Sequence, residues 1–172
     1  MDQKEISEKA IRGDDEAFLA LMQLHKEALL RTAIAFLKNE ADALEALQEV
    51  TYRAYKMIHT VREPAYVKTW MIRIMMNYCQ DQLKKGKRFV VTGEMDETIG
   101  KEDKYQLELD EALATLQPEE QQLIYLKYFQ DVKIKEIAEL SSIPEGTVKS
   151  RLHKILRSLR SHLGDKGGMD HV

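Results

Sequence analysis

The sequence predicts an all-α protein of two small helical domains joined by a flexible linker, the second domain containing a helix-turn-helix. Three observations carry this. Proline and glycine are sparse, 3 and 8 in 172 residues, while Leu, Ala, Glu, Lys and Met abound, which is the composition of helices. Apolar residues recur at three- and four-residue spacing through most of the chain. One stretch, residues 89–104, has two glycines, many acids and no period, and reads as a linker.

Taken in order, the spacing predicts a short helix over 5–11 that stops at Gly13. A long helix over 16–37 follows, supported by Phe18, Leu21, Met22, Leu29, Ile34 and Leu37, with Asp14 and Asp15 placed to cap it. Asn39 is a break. Leu44, Leu47, Val50, Ala54, Met57 and Ile58 then mark a helix over 41–59, whose opposite face carries Asp42, Glu45, Gln48, Glu49, Tyr52 and Arg53. Pro64 suits the first turn of a further helix that runs to about Lys85 and ends at Gly86. Its expected buried stripe is Val67, Trp70, Met71, Ile74, Met75 and Tyr78, and its other side offers Lys68, Arg73, Asn77, Asp81 and Lys84. A tryptophan on an apolar stripe is expected in the core. These helices make domain one, residues 1–88, followed by the linker over 89–104 and domain two over 105–172.

In domain two, Leu107, Leu109, Leu113 and Leu116 suit a first helix. Pro118 with Glu119 and Glu120 marks a second start, because proline presets φ and the acids meet the positive end of the helix dipole. Leu123, Ile124, Leu126, Tyr128 and Phe129 follow. Ile134, Ile137, Ala138 and Leu140 then give a short helix one buried face, and Ser141 to Pro144 break it. Val148, Leu152, Ile155, Leu156, Leu159 and Leu163 form the stripe of a second helix whose other face carries Lys149, Arg151, Lys154, Arg157 and Arg160. A tight break before a basic helix is the pattern that lays a recognition helix in the major groove. A solvated helical hairpin shares part of that pattern. The helix start, Glu-Gly-Thr-Val-Lys-Ser-Arg, adds small and hydroxyl residues where backbone must approach phosphate. Gly146, Thr147 and Arg151 are therefore expected at phosphates, and Lys149, Ser150, His153 and Lys154 at base edges. The tail after Gly164 is glycine-rich and expected to fray.

The net charge of −3 conceals a segregated distribution. Lys84, Lys85, Lys87 and Arg88 form one basic cluster and the last helix another, with an acidic stretch between them. The nineteen residues 86–104 span at most about 60 Å, more than one duplex turn of roughly 34–36 Å. Two domains so linked can grip separated sites on one DNA. The single cysteine, Cys79, excludes an internal disulfide, argues for a reducing compartment, and is expected to be a small buried residue rather than a redox switch. No apolar run reaches a membrane span and the N-terminus is no signal peptide, so the expected location is cytoplasmic. No catalytic constellation, phosphate-binding glycine loop or metal-ligand spacing is evident, so neither an enzyme nor a cofactor is expected. A free-standing helix-turn-helix regulator, a helical adaptor and an enzyme with a DNA-binding tail remain as other classes; the first leaves domain one idle and the last lacks a catalytic cluster.

From about Phe18 to Leu163 the chain resembles an extracytoplasmic-function sigma factor of the sigma-70 family. Asp42-Ala43-Leu44-Glu45-Ala46-Leu47-Gln48-Glu49 is similar to the acidic helix with which such factors bind the polymerase clamp. Residues 70–88 are similar to the helix that melts and holds the minus-ten element. Residues 116–163, with Gly146-Thr147-Val148-Lys149-Ser150-Arg151-Leu152, resemble the domain that reads the minus-thirty-five element. The resemblance implies core-polymerase binding by Asp42, Glu45, Gln48, Glu49 and Arg53. It implies a strand-holding pocket of the loop Val61 to Tyr66, with Arg62, together with Asn77, and phosphate neutralisation by Lys84, Lys85 and Arg88. The implied partners are core RNA polymerase, through the clamp of its largest subunit and the flap of its second, promoter DNA, and an anti-sigma factor, often membrane-tethered, that would recruit the chain to the inner face of the membrane. No small-molecule substrate is implied. Ser142 stands where the family commonly has glycine in the turn, which is tolerable if Ser142 avoids a positive φ or if the turn is slightly different.

Overall fold

The computed structural model describes residues 2–86 and 101–167, with the side chains of 101–107 and 165–167 left aside. Arg88 and most of the expected linker lie outside the described residues. The chain divides into two compact units, Met1–Val90 and Val91–Val172.

The first unit contains α1 (Gln3–Ile11), α2 (Asp15–Leu37), α3 (Glu40–Met57) and α4 (Val67–Gly86). Local chemistry fixes their starts. Asp2 Oδ1 accepts from the Glu5 N–H at 2.8 Å, Asp14 Oδ1 from Ala17 N–H at 3.0 Å, and Asn39 Oδ1 from Asp42 N–H at 2.8 Å. Each such cap is worth about 1 kcal/mol. Gly13 turns the chain between α1 and α2 at φ +104°, a conformation that L side chains rarely adopt. Two single 3₁₀ turns, Ile58–Thr60 and Pro64–Tyr66, join α3 to α4. Pro64 thus opens a 3₁₀ turn ahead of the helix rather than the helix itself.

Helices α2, α3 and α4 pack mutually, and α1 lies against α2 and the 3₁₀ turns. Leu21, Leu29, Val50, Met71, Ile72, Met75 and Met76 are fully buried at the centre. Truncating either leucine to alanine would cost about 2–5 kcal/mol. The buried face of α3 differs from the expected stripe. Ala43, Ala46, Val50 and Ala54 point inward, while Leu44 and Met57 are 47% and 50% exposed. Alanines let α2 and α4 approach closely, so the small residues, not the large ones, face the core.

The stripe of α4 is also rotated. Val67, Met71 and Met75 are buried as expected, but they are joined by Thr69, Ile72, Met76 and Cys79. Trp70, Ile74 and Tyr78 are only half-buried. Two neighbouring helices cover a wide sector of α4, and its several apolar residues left more than one phase open. Trp70 is therefore not in the core, contrary to the expectation for an apolar stripe.

The second unit contains α5 (Lys101–Ala114), α6 (Pro118–Ile124), α7 (Ile134–Ser141) and α8 (Glu145–Gly167). Helix α8 packs against the other three. The core is Ala112, Leu116, Leu123, Ile124, Tyr125, Leu126, Val132, Ile137, Ala138, Val148, Leu152 and Ile155. Pro118 stands at the first position of α6, and the Gln117 N–H donates to Glu120 Oε1 at 2.9 Å. Helix α5 begins at Lys101, inside the stretch read as linker; no proline or glycine interrupts the sequence between Gly100 and Pro118. Helix α8 runs through Gly164 to Gly167, where fraying was expected.

A π-helical turn, Tyr125–Phe129, follows α6. The Gln130 N–H reaches back to the Tyr125 carbonyl at 3.0 Å. The Tyr125 and Phe129 rings stack at 5.5 Å. The wider turn buries Tyr125 and leaves Tyr128 and Phe129 53% and 57% exposed, where plain helical spacing placed both among the apolar contacts. Ser142, which ends α7, sits at φ 56° and ψ 43°. It does not avoid positive φ. The helix-turn-helix keeps the left-handed turn and places a serine in it.

Candidate nucleic-acid interface

Helix α8 begins just after Pro144, whose carbonyl accepts from Thr147 N–H at 3.0 Å and Val148 N–H at 3.2 Å. The proline therefore caps the helix rather than forming its first position. Val148, Leu152 and Ile155 pin one side of α8 to the core, as expected. The helical repeat then fixes what lies opposite. Gly146, Ser150, His153 and Arg157, spaced four, three and four apart, form the outermost line, and all are exposed. Lys149 flanks that line on one side. Lys154 flanks it on the other, in a row with half-buried Thr147 and exposed Arg151. No side chain crowds Gly146: a Cβ built there meets nothing within 4 Å. A backbone can approach closely at such a point. Arg157 had been read only as part of the basic face; its spacing from His153 is the signal that places it on the outer line.

In the first unit, the outward face of α4 is defined in the same way. Trp70, Arg73, Asn77 and Lys84, spaced three, four and seven, lie opposite the stripe of Met71, Ile72, Met75, Met76 and Cys79. Asn77, Lys84 and Lys85 are exposed, and Arg73 is half-buried, with burial lowering its guanidinium pKa. Val61 and Tyr66 are half-buried and Arg62 is exposed, all just before α4. Asn77 lies ten residues along the helix from Val67, about 15 Å. The loop and Asn77 are thus separate stations on one face, with Trp70 and Arg73 between them. Trp70 lies on this face although its flanking apolar residues give it the spacing of a core position.

The expected polymerase-binding residues lie on α3. Asp42, Glu45, Gln48 and Arg53 are exposed and Glu49 is half-exposed. The Arg53 Nε donates to Glu49 Oε1 at 3.1 Å, and the Arg53 guanidinium carbon lies 5.0 Å from the centre of the Tyr78 ring on α4. Burial, then the charges of Glu45 and Glu49, push the Tyr78 phenol pKa up. Beside this cluster, Lys56 Nζ is 4.9 Å from the centre of the Tyr52 ring. Two other titratable side chains are held inside. Burial, reinforced by the charge of Lys68, lowers His25 to about 4. Burial pushes the Cys79 thiol up to about 12, which makes it inert rather than reactive.

Among the described residues, no group of His, Cys, Asp and Glu could hold a metal ion, and no helix is long and apolar enough to cross a membrane. Residues 21–89 match sigma-70 region 2 and residues 106–159 match sigma-70 region 4. The chain belongs to the sigma-70 family. The sigma factor SigV of Bacillus subtilis is 38% identical over 81% of this chain and 86% of its own length. The extracytoplasmic-function sigma factor SigW of the same organism is 26% identical over 90% of this chain and 92% of its own. The solved sigma factor RpoE of Bartonella quintana, in complex with the anti-sigma factor NepR, shares the fold with a TM-score of 0.62 at 20% identity, covering 85% of this chain and 96% of that one. This sigma factor is of the extracytoplasmic-function class, and its function is promoter-specific initiation of transcription.

Proposed function

We propose that the chain divides its work by helix: α3 holds core polymerase, the outward face of α4 holds the opened minus-ten strand, and α8 reads the minus-thirty-five element in the major groove. The observation that carries this reading is the outer line of α8, Gly146, Ser150, His153 and Arg157, opposite a core-pinned side. Lys149, Ser150 and His153 face base edges, with Ser150 able to donate or accept and Lys149 suited to guanine. Gly146, Thr147 and Arg151 face phosphate. Lys154 stands in their row, so it contacts the backbone rather than a base.

On α4, the half-exposed Trp70 ring gives an unpaired base a surface to stack on, worth about 1–3 kcal/mol. Asn77 offers both donor and acceptor to a base edge. Arg62, Lys84, Lys85 and Arg88 neutralise phosphates of the strand, while Val61 and Tyr66 border it at the start of the helix. On α3, Asp42, Glu45, Gln48, Glu49 and Arg53 bind the clamp of the largest subunit, and the second unit meets the flap of the second. The chain works in the cytoplasm. Since RpoE is solved with an anti-sigma factor, and Leu44, Tyr52, Met57, Tyr128 and Phe129 stay exposed in this chain, an anti-sigma factor covers this sigma factor when it is inactive. A membrane-tethered inhibitor would hold it at the inner face of the membrane.

Run-off transcription tests the reading. Core polymerase with this chain should start at discrete sites, and Ser150→Ala with His153→Ala should change which sites are used. Lys154→Ala should weaken all sites alike. Core polymerase that starts no more selectively with the chain than without it would refute the proposal.

A further inference from the structure

The contact between Arg53 and Tyr78 joins two helices with separate tasks. Arg53 lies on α3 and Tyr78 on α4, one residue after Asn77. A long, solvated arginine side chain has many rotamers, and ordering it on a partner costs binding. The Glu49 ion pair alone restrains it weakly, because both side chains are over two-fifths exposed, 44% and 43%. The Tyr78 ring supplies the second restraint. The guanidinium carbon stands 5.0 Å from its centre, within cation–π range. Glu49 takes Nε and the Tyr78 ring lies near the guanidinium carbon, so the two terminal nitrogens stay available to the fork of a carboxylate.

We propose that Tyr78 is a positioning residue for polymerase binding: its ring holds Arg53 in the binding geometry, and the polymerase-facing surface extends from α3 onto α4. This rests on the reading that Arg53 contacts core polymerase. Tyr78 need not touch the polymerase itself. What matters is the π face of its ring, not its hydroxyl, so phenylalanine suffices and leucine does not.

The test is a double-mutant cycle on the full chain, with affinity for core polymerase measured by titration of a fluorescently labelled sigma factor. Tyr78→Leu should weaken binding by about two- to fivefold, the loss of one partly exposed cation–π contact, and Tyr78→Phe should bind like the wild type. In an Arg53→Gln background, Tyr78→Leu should cost nothing further. Losses that multiply across the two backgrounds would mean that Tyr78 acts through the fold, and the proposal would fall. The same follows if Tyr78→Phe is as weak as Tyr78→Leu, or if Tyr78→Leu binds normally while Arg53→Gln does not. If Arg53→Gln itself binds normally, it is the reading of Arg53 that fails, and Tyr78 loses its role with it.

Discussion

His25 makes the first unit acid-sensitive in a way that can be calculated. It lies on α2 with 8% of its surface exposed, and burial with the nearby Lys68 charge holds its pKa at about 4 against the ordinary 6.5. Above pH ~6.5 the imidazole is neutral in both folded and unfolded chains, and it makes stability no function of pH. Below that, the unfolded chain takes up a proton that the folded chain refuses until about pH 4. Stability therefore falls as pH drops through this window, by up to about 1.4 kcal/mol per pH unit. By pH 4.5 the accumulated loss is about 2.5 kcal/mol, a large share of a typical domain's 5–15 kcal/mol. Trp70, the only tryptophan, lies in the same unit, so its fluorescence reports that unit's unfolding in urea. Unfolding free energies from pH 7.5 to 4.5 would be compared between the wild type and His25→Leu, which cannot titrate. The difference should grow steadily below pH 6.5 as the wild type weakens, while other titrating groups cancel. A difference that stays flat across that range would refute the argument that His25 is kept neutral by burial.

Three further outcomes are expected. Ser142→Gly should stabilise the second unit by up to about 1 kcal/mol, since it relieves a left-handed residue at some entropic cost, while Ser142→Val should destabilise it; thermal unfolding followed by circular dichroism checks the order. Cys79, with its thiol pushed up to about 12 and no exposed surface, should resist a thiol reagent at pH 8 until urea unfolds the chain; rapid labelling of the native protein would contradict its placement. Arg151→Ala should weaken DNA binding on every sequence and reduce the slope of log affinity against log salt by about 1; an altered sequence preference in a binding titration would move Arg151 to the base-reading face.

Where one residue type has one stable use, the sequence was legible. Asp14 and Pro118 announced helix starts because a side-chain acceptor or a fixed φ fits there and nowhere else in a helix, whereas Asn39, read as a break, proves to be the cap of α3. Val148, Leu152 and Ile155 were legible as core because the opposite face of α8 carries only polar and basic residues, leaving one apolar phase. Helix α4 was not legible in the same way. Trp70 and Ile74 compete with Ile72 and Met76, and only the neighbouring helices decide between them. Helix α3 misled by size, since the packing distance selected alanines. The π-helical turn at Tyr125 and the positive φ of Ser142 depend on backbone energies that spacing does not carry. Of the candidate surfaces, that of α8 followed from pattern, those of α3 and α4 came through family resemblance, and the Arg53–Tyr78 contact required coordinates because its partners are 25 positions apart on different helices.

The alanine seam of α3 has a consequence for how this surface can change. Ala43, Ala46 and Ala54, with Val50, do the packing, while Leu44, Tyr52 and Met57 are spectators of the core and Tyr55 packs edge-on against Phe18 and donates to Asp15 Oδ1. The helix works like a removable faceplate: Leu44, Tyr52 and Met57 can be exchanged for side chains matched to a different companion while the alanine seam stays in place. A duplicated copy of this gene could therefore acquire new allegiances along α3 by surface substitution alone, whereas enlarging any one of the three alanines would prise the bundle apart.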